Sequence, residues 1–306
     1  MNAQRFNRIL IAGGSGFLGQ TLCRHLKPLC DDIIILTRGQ SETKDGLRYV
    51  QWDGKTAGDW VSEMDGADGI VNLVGRTVDC RKTPENKAVI LSSRIDSVTA
   101  LAAGYQRCAN PPPVWVQSAT AHILGDTGDE ILTDDTPPGT GFAPDVGTAW
   151  EKAYFSADLG QCRRVALRIS FVLGRNGGAL KTLARLARLG LGGTVGHGRQ
   201  YISWIHEDDL AALIIKALAD PTMHGTYITT APDPQPNAVF MRELRKAVRR
   251  PWSPPAPAIA VRIASVFLRT DPELALLGRR CLPTRLTKEG FTFQHPTLGP
   301  ALRDLL

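Results

Sequence analysis

The stretch Ile9–Gly19, ILIAGGSGFLG, constrains the fold of this chain more than any other. Its four apolar residues Ile9, Leu10, Ile11 and Ala12 read as a buried strand. They run into a turn whose glycines, Gly13, Gly16 and Gly19, are spaced G-x-x-G-x-x-G. A helical pattern opens at Phe17 and Leu18 and continues through Leu22 and Leu26. Gly13 lets the backbone turn off the strand, Gly16 lets a pyrophosphate approach the main chain, and Gly19 lets the helix pack closely. The free N–H groups and dipole at the helix start then hold the phosphates. A glycine-rich turn without a ligand is the plainer alternative; the strand–turn–helix setting favours a dinucleotide.

The segments that follow alternate between strand and helix patterns. Ile33–Leu36 is a second strand that ends in Thr37-Arg38, where a parallel neighbour delivers its C-terminal end to the adenosine ribose. An acidic residue there would serve the free 2′-hydroxyl of NAD. Arg38 suits the 2′-phosphate of NADP instead, and no Asp or Glu follows until Glu42. A surface arginine in a loop is the alternative. Tyr49–Trp52 is a third strand ending in Asp53-Gly54, and Asp53 either bonds the adenine amino group or caps a turn. Gly69–Val74 is the fourth, ending at Gly75, with small residues that let the pyrophosphate and nicotinamide ribose pass. The expected cofactor contacts are therefore Gly13, Gly14, Ser15, Gly16, Phe17, Leu18, Gly19, Thr37, Arg38, Trp52, Asp53, Leu73, Val74 and Gly75.

Pro84–Ala103 is helical in pattern, and Val114–Gln117 is the fifth strand. It ends in Ser118-Ala119-Thr120-Ala121-His122, which places hydroxyls where ligands bind in such sheets. Gly125–Thr140 is a polar loop of a size that covers an active site. A helix over Asp145–Leu159 and a strand over Val165–Phe171 complete the alternation. The expected fold is α/β, a doubly wound parallel sheet of the Rossmann kind over residues 1–174, with 205–230 returning to it. A smaller C-terminal α/β substrate-binding region occupies 175–306, with helices over Leu180–Leu189, Leu210–Ala219 and Ile259–Phe267.

Composition narrows the function classes. No apolar run reaches membrane-spanning length, and MNAQRFNRIL enters the first strand with no room for a signal peptide, so neither a membrane nor export is expected. Six scattered cysteines without a C-x-x-C pair read as reduced thiols of a cytoplasmic protein, not as a metal site. The net charge of +6 raises nucleic acid as a partner. Its densest cluster, Arg242–Arg250, reads as the polar face of one helix without the aromatic interleaving that base stacking needs. A small-molecule substrate, not nucleic acid, is the expected partner.

Taken together, the ordered matches Gly13–Gly19, Thr37-Arg38, Asn72–Gly75, Ser93-Arg94, Ser118–Thr120, Gly125-Asp126, Trp150-Glu151, Ser203–His206, Asp208–Leu210 and Gly290-Phe291 resemble the extended short-chain dehydrogenase/reductases. Within that superfamily the chain is most similar to the atypical, epimerase-like family with a small C-terminal domain of unknown role. The resemblance covers nearly the whole chain and implies a Rossmann core, NADP binding and a cleft closed by C-terminal segments. It also implies a homodimer, since the superfamily often dimerises through a helix pair.

The superfamily's chemistry uses a Tyr general acid/base with a Lys four residues later. None of Tyr49, Tyr105, Tyr154, Tyr201 and Tyr227 has that lysine, and Ala143 and Gly147 fall at the two places. Leu124 replaces a phenol that the family often carries before the glycine matched by Gly125. Thr120, with Ser118 as the other register, falls at the superfamily's catalytic Ser/Thr; a hydroxyl that satisfies the strand end is the duller reading. His122 is a candidate proton donor near neutral pH, against the commoner structural role of a lone histidine. Arg94, Arg168, Arg199 and Trp204 are candidate substrate contacts, with ion pairing as the alternative for the arginines. His206 orders the loop that follows, and Asp208 reads as the N-cap of the next helix. The expected activity is NADP-dependent oxidoreduction or epimerisation of a small, sugar-nucleotide-like substrate; the alternative is an inactive NADP-binding scaffold or redox sensor.

Overall fold

A computed structural model describes residues 5–306, apart from the side chain of Leu268, so the first four residues of the N-terminal segment lie outside it. Phe6–Ala12 (β1) is buried along its last four residues, as a central parallel strand must be. Phe17–Leu26 (α1) crosses over to Cys30–Thr37 (β2), which lies parallel to β1 with Ile9 opposite Ile33. Glu42–Lys44 (β3) and Leu47–Gln51 (β4) form a ribbon around Asp45-Gly46, both at positive φ, a turn that Asp-Gly favours. Val61–Met64 (α2) leads to Gly69–Asn72 (β5), and Pro84–Tyr105 (α3) leads to Val114–Thr120 (β6).

Beyond a 3₁₀ turn at Ala121–Leu124 come Ile131–Leu132 (β7), Phe142–Ser156 (α4), Arg163–Ile169 (β8), Phe171–Leu173 (β9) and Gly178–Arg188 (α5). Tyr201–Ile202 (β10), Trp204–His206 (β11), Glu207–Ala219 (α6), Gly225–Thr229 (β12) and Gln235–Pro236 (β13) follow. Asn237–Ala247 (α7), Ala258–Leu268 (α8), Glu273–Leu276 (α9), Arg280–Cys281 (β14), Thr284–Lys288 (α10) and Leu298–Leu305 (α11) end the chain.

The main sheet has the order β12-β8-β6-β5-β1-β2-β4-β3, parallel throughout except between β3 and β4. The chain winds one way from β1 to β2 and the other way to β5. The crevice between the ends of β1 and β5 is thus the switch point where such sheets take ligands. One face packs Ile9 and Ile11 against Leu22 and Leu26 of α1 and Leu210 and Ile214 of α6. The other packs Leu10 and Trp115 against Val98 and Leu101 of α3 and Trp150 and Tyr154 of α4. A separate cluster joins Leu180 of α5, Trp204, Phe240 of α7 and Leu302 of α11. Among the described residues no helix is long and apolar enough to cross a membrane.

Several boundaries differ from the sequence reading. β6 runs on to Thr120, pairing with β8 as far as Ile169, so Ser118 lies within the strand. α4 begins at Phe142, not Asp145, and so includes Ala143 and Gly147. The segment Gly125–Thr140 is tethered to the C-terminal part of the chain. Its β7 pairs with β14, and Asp134 accepts from the N–H of Ile228 (2.6 Å), the N–H of Arg285 (2.9 Å) and the hydroxyl of Thr284 (2.9 Å).

Candidate active site

The glycine turn is packed from inside and open outside. Gly13 holds φ +78°, and a Cβ there would lie 3.1 Å from the main chain of Leu73 and Val74. A Cβ on Gly14 would reach Ile35 at 3.0 Å, and one on Gly19 would strike the Gly14 main chain at 2.3 Å. Gly19 therefore seats the helix on the turn itself. Gly16 meets only the Gly13 carbonyl, at 3.4 Å, and no side chain caps α1. Its outer side and the first N–H groups of the helix are thus free for a phosphate, as the dinucleotide reading requires. Ser15 is exposed, and Leu18 is half-buried beside the core. Phe17 is clasped from the far side, since Cβ atoms on Gly174 and Gly177 would fall 2.1 and 2.4 Å from its ring.

At the adenosine end, a hollow of about 410 Å³ is lined by Ser15, Thr37, Gly39, Ser41, Glu42 and Tyr49, among others. Arg38 is exposed beside it and makes no side-chain hydrogen bond or ion pair among the described residues. Trp52 belongs to packing instead: it is buried edge-on against Trp60, with ring centroids 5.5 Å apart. Asp53 Oδ1 accepts from the N–H groups of Lys55 and Thr56, both at 2.8 Å, and Oδ2 accepts from the Thr56 hydroxyl at 2.7 Å. These donors hold its carboxyl down to about 2, and of its two readings the turn cap accounts for all three bonds.

At the other end, Asn72 shapes the stretch Leu73–Gly75. Its Oδ1 accepts from the Val74 N–H at 3.1 Å, while Nδ2 donates to Gln117 (3.0 Å) and Ser97 (3.3 Å). A Cβ on Gly75 would sit 3.2 Å from the guanidinium of Arg94. Ser118 is buried at the end of β6. Thr120 Oγ1 accepts from the His122 N–H at 3.2 Å, which caps the 3₁₀ turn and leaves the hydroxyl hydrogen free to donate. Burial first, and then the charges of Arg279, Lys82 and Arg94, push His122 down to about 3. The imidazole is therefore neutral at pH 7, with one ring N–H and no second proton, which favours the structural reading of this histidine over that of a proton donor.

The NAD dependent epimerase/dehydratase family model matches residues 9–228, and a domain of unknown function, DUF1731, matches 256–305. The chain belongs to this epimerase/dehydratase family. Among its relatives, the epimerase family protein SDR39U1 of Bos taurus is 32% identical, over 98% of this chain and 99% of that one. A crystal structure of human SDR39U1 with NADPH superposes with a TM-score of 0.87 at 29% identity, covering 97% of this chain and 98% of the other. A nucleoside-diphosphate sugar epimerase from Corynebacterium glutamicum gives 0.79 at 27% identity, covering 99% of this chain and 59% of that one.

In this epimerase/dehydratase chain Gly147, which the sequence led us to expect at the lysine's place, is closely packed. A Cβ on Gly147 would lie 2.8 Å from the Cβ of Ile123, so α4 rests directly on the 3₁₀ turn that carries His122. Leu124, at the place of the substitute phenol, is buried with Ala121 and Ile123. Tyr154, seven residues beyond Gly147, is buried and donates its hydroxyl to the Trp115 carbonyl at 2.5 Å.

Two cations face this cleft without a carboxylate partner among the described residues. Arg94 lies 4.9 Å over the Trp150 ring and donates to the carbonyls of Arg76 (3.1 Å) and Ile90 (2.8 Å); burial lowers it to about 10. Arg279 donates from Nε to the Gly125 carbonyl at 3.1 Å, and burial lowers it too. The sequence reading found Arg94 but missed Arg279, which reaches the cleft only because Gly278 bonds Asp126 and β14 pairs with β7.

The other expected substrate contacts are placed elsewhere. Arg168 is buried in a two-pronged pair with Glu151 at 2.8 and 2.9 Å, so its guanidinium is committed within the protein. Trp204 is fully buried and donates to the Asp233 carbonyl at 2.7 Å, a packing role instead of a substrate contact. Arg199 is exposed with no side-chain partner among the described residues. His206, not Asp208, caps α6: its Nδ1 accepts from the Asp208 N–H at 3.1 Å, which moves Asp208 into the first turn. His206, Asp208, His295 and Asp304 bring possible ligand atoms within 4.8 Å of one another. The cap, however, fixes the hydrogen of neutral His206 on Nε2, facing Asp304 at 3.4 Å, and so uses up the lone pair a metal would need.

Proposed function

We propose that this chain is an NADP-dependent oxidoreductase or epimerase that moves a hydride at a carbinol carbon of a small anionic, sugar-nucleotide-like substrate. The observation that carries the reading is the pair Arg94 and Arg279, partly desolvated and without carboxylates, beside the end of β6. A cation held this way favours a negative group or a developing alkoxide far more than one in water does. Bound NADP would supply the hydride acceptor or donor. Gly13–Gly19 would hold its phosphates, Arg38 its 2′-phosphate, and Leu73–Gly75 its nicotinamide half. Support for this cofactor comes from the open outer side of Gly16, the unpartnered Arg38 and the relative that was crystallised with NADPH.

Thr120, whose oxygen already accepts from the His122 N–H, would donate its hydroxyl hydrogen to the substrate oxygen, with Ser118 as its neighbour. The proton would come from water or the substrate, because neutral His122 holds no second ring proton at pH 7. Contact between Gly147 and Ile123 favours a second reading, a scaffold or redox sensor that binds NADP without turnover.

Nicotinamide fluorescence on titration with NADPH and NADH tests the reading. NADPH should bind more tightly, and Arg38→Ala should lose about 10–100-fold of that affinity, the worth of a charge-assisted bond. Equal binding of both would remove the NADP reading, and NADPH binding without hydride exchange across a panel of anionic carbinols would favour the scaffold. We also infer a cytoplasmic setting, supported by six unpaired thiols, a homodimer, and a division of the chain after Gly174 with 205–230 returning to the first part.

A further inference from the structure

Seven of the twelve large apolar side chains that stand exposed among the described residues fall in two stretches of the C-terminal half. Leu189 (67%) and Leu191 (59%) flank Gly190 in the turn after α5, and Trp252 is 71% exposed. Ile259, Ile263 and Phe267 stand out from α8, where Phe267 reaches 82%. Among the described side chains of that helix the buried one is Ser265, whose hydroxyl bonds the Arg262 carbonyl. α8 thus turns its apolar residues outward, the reverse of a helix that covers a globular core.

The two stretches are sewn together. Arg250 Nε donates to the Arg188 carbonyl (2.9 Å), Arg245 to the Gly192 carbonyl (2.8 Å), and Ala256 N–H to the Thr194 carbonyl (2.8 Å). The Leu189–Leu191 turn therefore lies beside Trp252, on a surface that continues into α8. The charge that the two stretches themselves carry is of one sign, and Asp79 lies at their end, accepting from the Thr270 hydroxyl. Residues 178–196 and 244–270 contain no Asp or Glu, and Arg188, Arg249, Arg250, Arg262 and Arg269 are all exposed within them.

We propose that this face docks on an anionic lipid bilayer. Leu189, Leu191, Trp252 and the outer side of α8 enter the interfacial layer, and the arginines meet the phosphate headgroups. A second copy of the chain fits less well, because two like faces would set five arginines against five, and Asp79 at the end of α8 is already engaged by Thr270. Nucleic acid would satisfy the arginines but give Ile259, Ile263 and Phe267 nothing apolar to bury against. The contact is peripheral, and it is independent of the cofactor and substrate reading.

The test uses the full chain and co-sedimentation with vesicles of phosphatidylcholine alone or mixed with phosphatidylglycerol. Expected are binding to the mixed vesicles, a blue shift of tryptophan emission, and weakening as salt is raised. Arg249→Glu with Arg250→Glu should weaken binding about 30-fold, at about fivefold for each arginine removed near the surface. Leu191→Asp with Trp252→Ser should abolish it while leaving NADPH binding and circular dichroism unchanged, and Ile131→Ser, exposed elsewhere, should leave it intact. Failure to bind either vesicle, or equal binding to both without salt dependence, would overturn the proposal. So would light scattering that shows a dimer lost in the Leu191→Asp, Trp252→Ser variant, which would assign the face to a second copy.

Discussion

Gly147 and His122 share one small region and set opposite tests of it. With the Ile123 Cβ at 2.8 Å, even one added carbon at Gly147 must push the 3₁₀ turn away. We expect Gly147→Ala to cost about 1–3 kcal/mol of unfolding free energy in urea, the usual penalty of overpacking, and Gly147→Lys to cost more. A full-stability lysine variant would refute the contact. His122 has a folded value of about 3 against an ordinary value of 6.5. The unfolded chain therefore takes up the proton first, so this stabilisation is complete above pH 6.5 and is lost as pH falls toward 3. Its slope is at most about 1.4 kcal/mol per pH unit. Urea unfolding of His122→Gln should show a flatter acid limb than wild type, and an unchanged slope would exclude the buried neutral imidazole. At this scale the sequence was legible where a residue answers to its own neighbours. The glycine turn and Arg38 could be read that way. Arg168 could not, because its partner Glu151 sits on α4 and meets it only when that helix packs beside β8.

Asp134 ties together elements that are far apart in the chain. Its two oxygens hold the edge strand β12 and the start of α10, so the segment expected to cover an active site also acts as a clasp. Asp134→Ala leaves two N–H donors unmatched, at about 1–3 kcal/mol for each buried group, and we expect a loss of about 2–4 kcal/mol. Hydrogen exchange should rise together at Ile228 and Arg285; a rise at only one would break the link. Strands with a continuous apolar run, such as Ile9–Ala12 and Ile33–Leu36, were plain in the sequence because both faces are covered. β3 was not, since Glu42, Thr43 and Lys44 are all exposed and carry no apolar signal. β7 and β14 have two residues each, and only their pairing defines them. The position of α8 was legible, but its exposure was not: an apolar pattern reports hydrophobicity, and only the fold decides whether anything lies against it.

The whole molecule is bound by the return of the chain to its own sheet. β12 covers the outer edge of β8, and α6 packs Leu210 and Ile214 onto the face that β1 and α1 share. The switch point and the parallel sheet were visible in the alternation of segments. The clustering of Arg94 with Arg279 was not, because it needs the C-terminal segment laid back across Gly125. A fragment ending at Gly174 lacks both α6 and β12, and so leaves β8 as an open strand with a bare apolar face. We expect it to collect in the insoluble fraction on expression, and a fragment extended through Thr230 to be recovered in solution in larger yield. Equal yields would show that the open edge is not what matters.

The same topology has a consequence for synthesis. Translation delivers β8 well before β12, so each nascent chain passes through an interval in which Val165, Leu167 and the adjoining backbone donors and acceptors have no cover. The longer the ribosome pauses between Gly174 and Gly225, the longer that edge is offered to other nascent chains. Elongation speed over this stretch, as well as the finished energy of the fold, thus bears on how much of the protein reaches its native state.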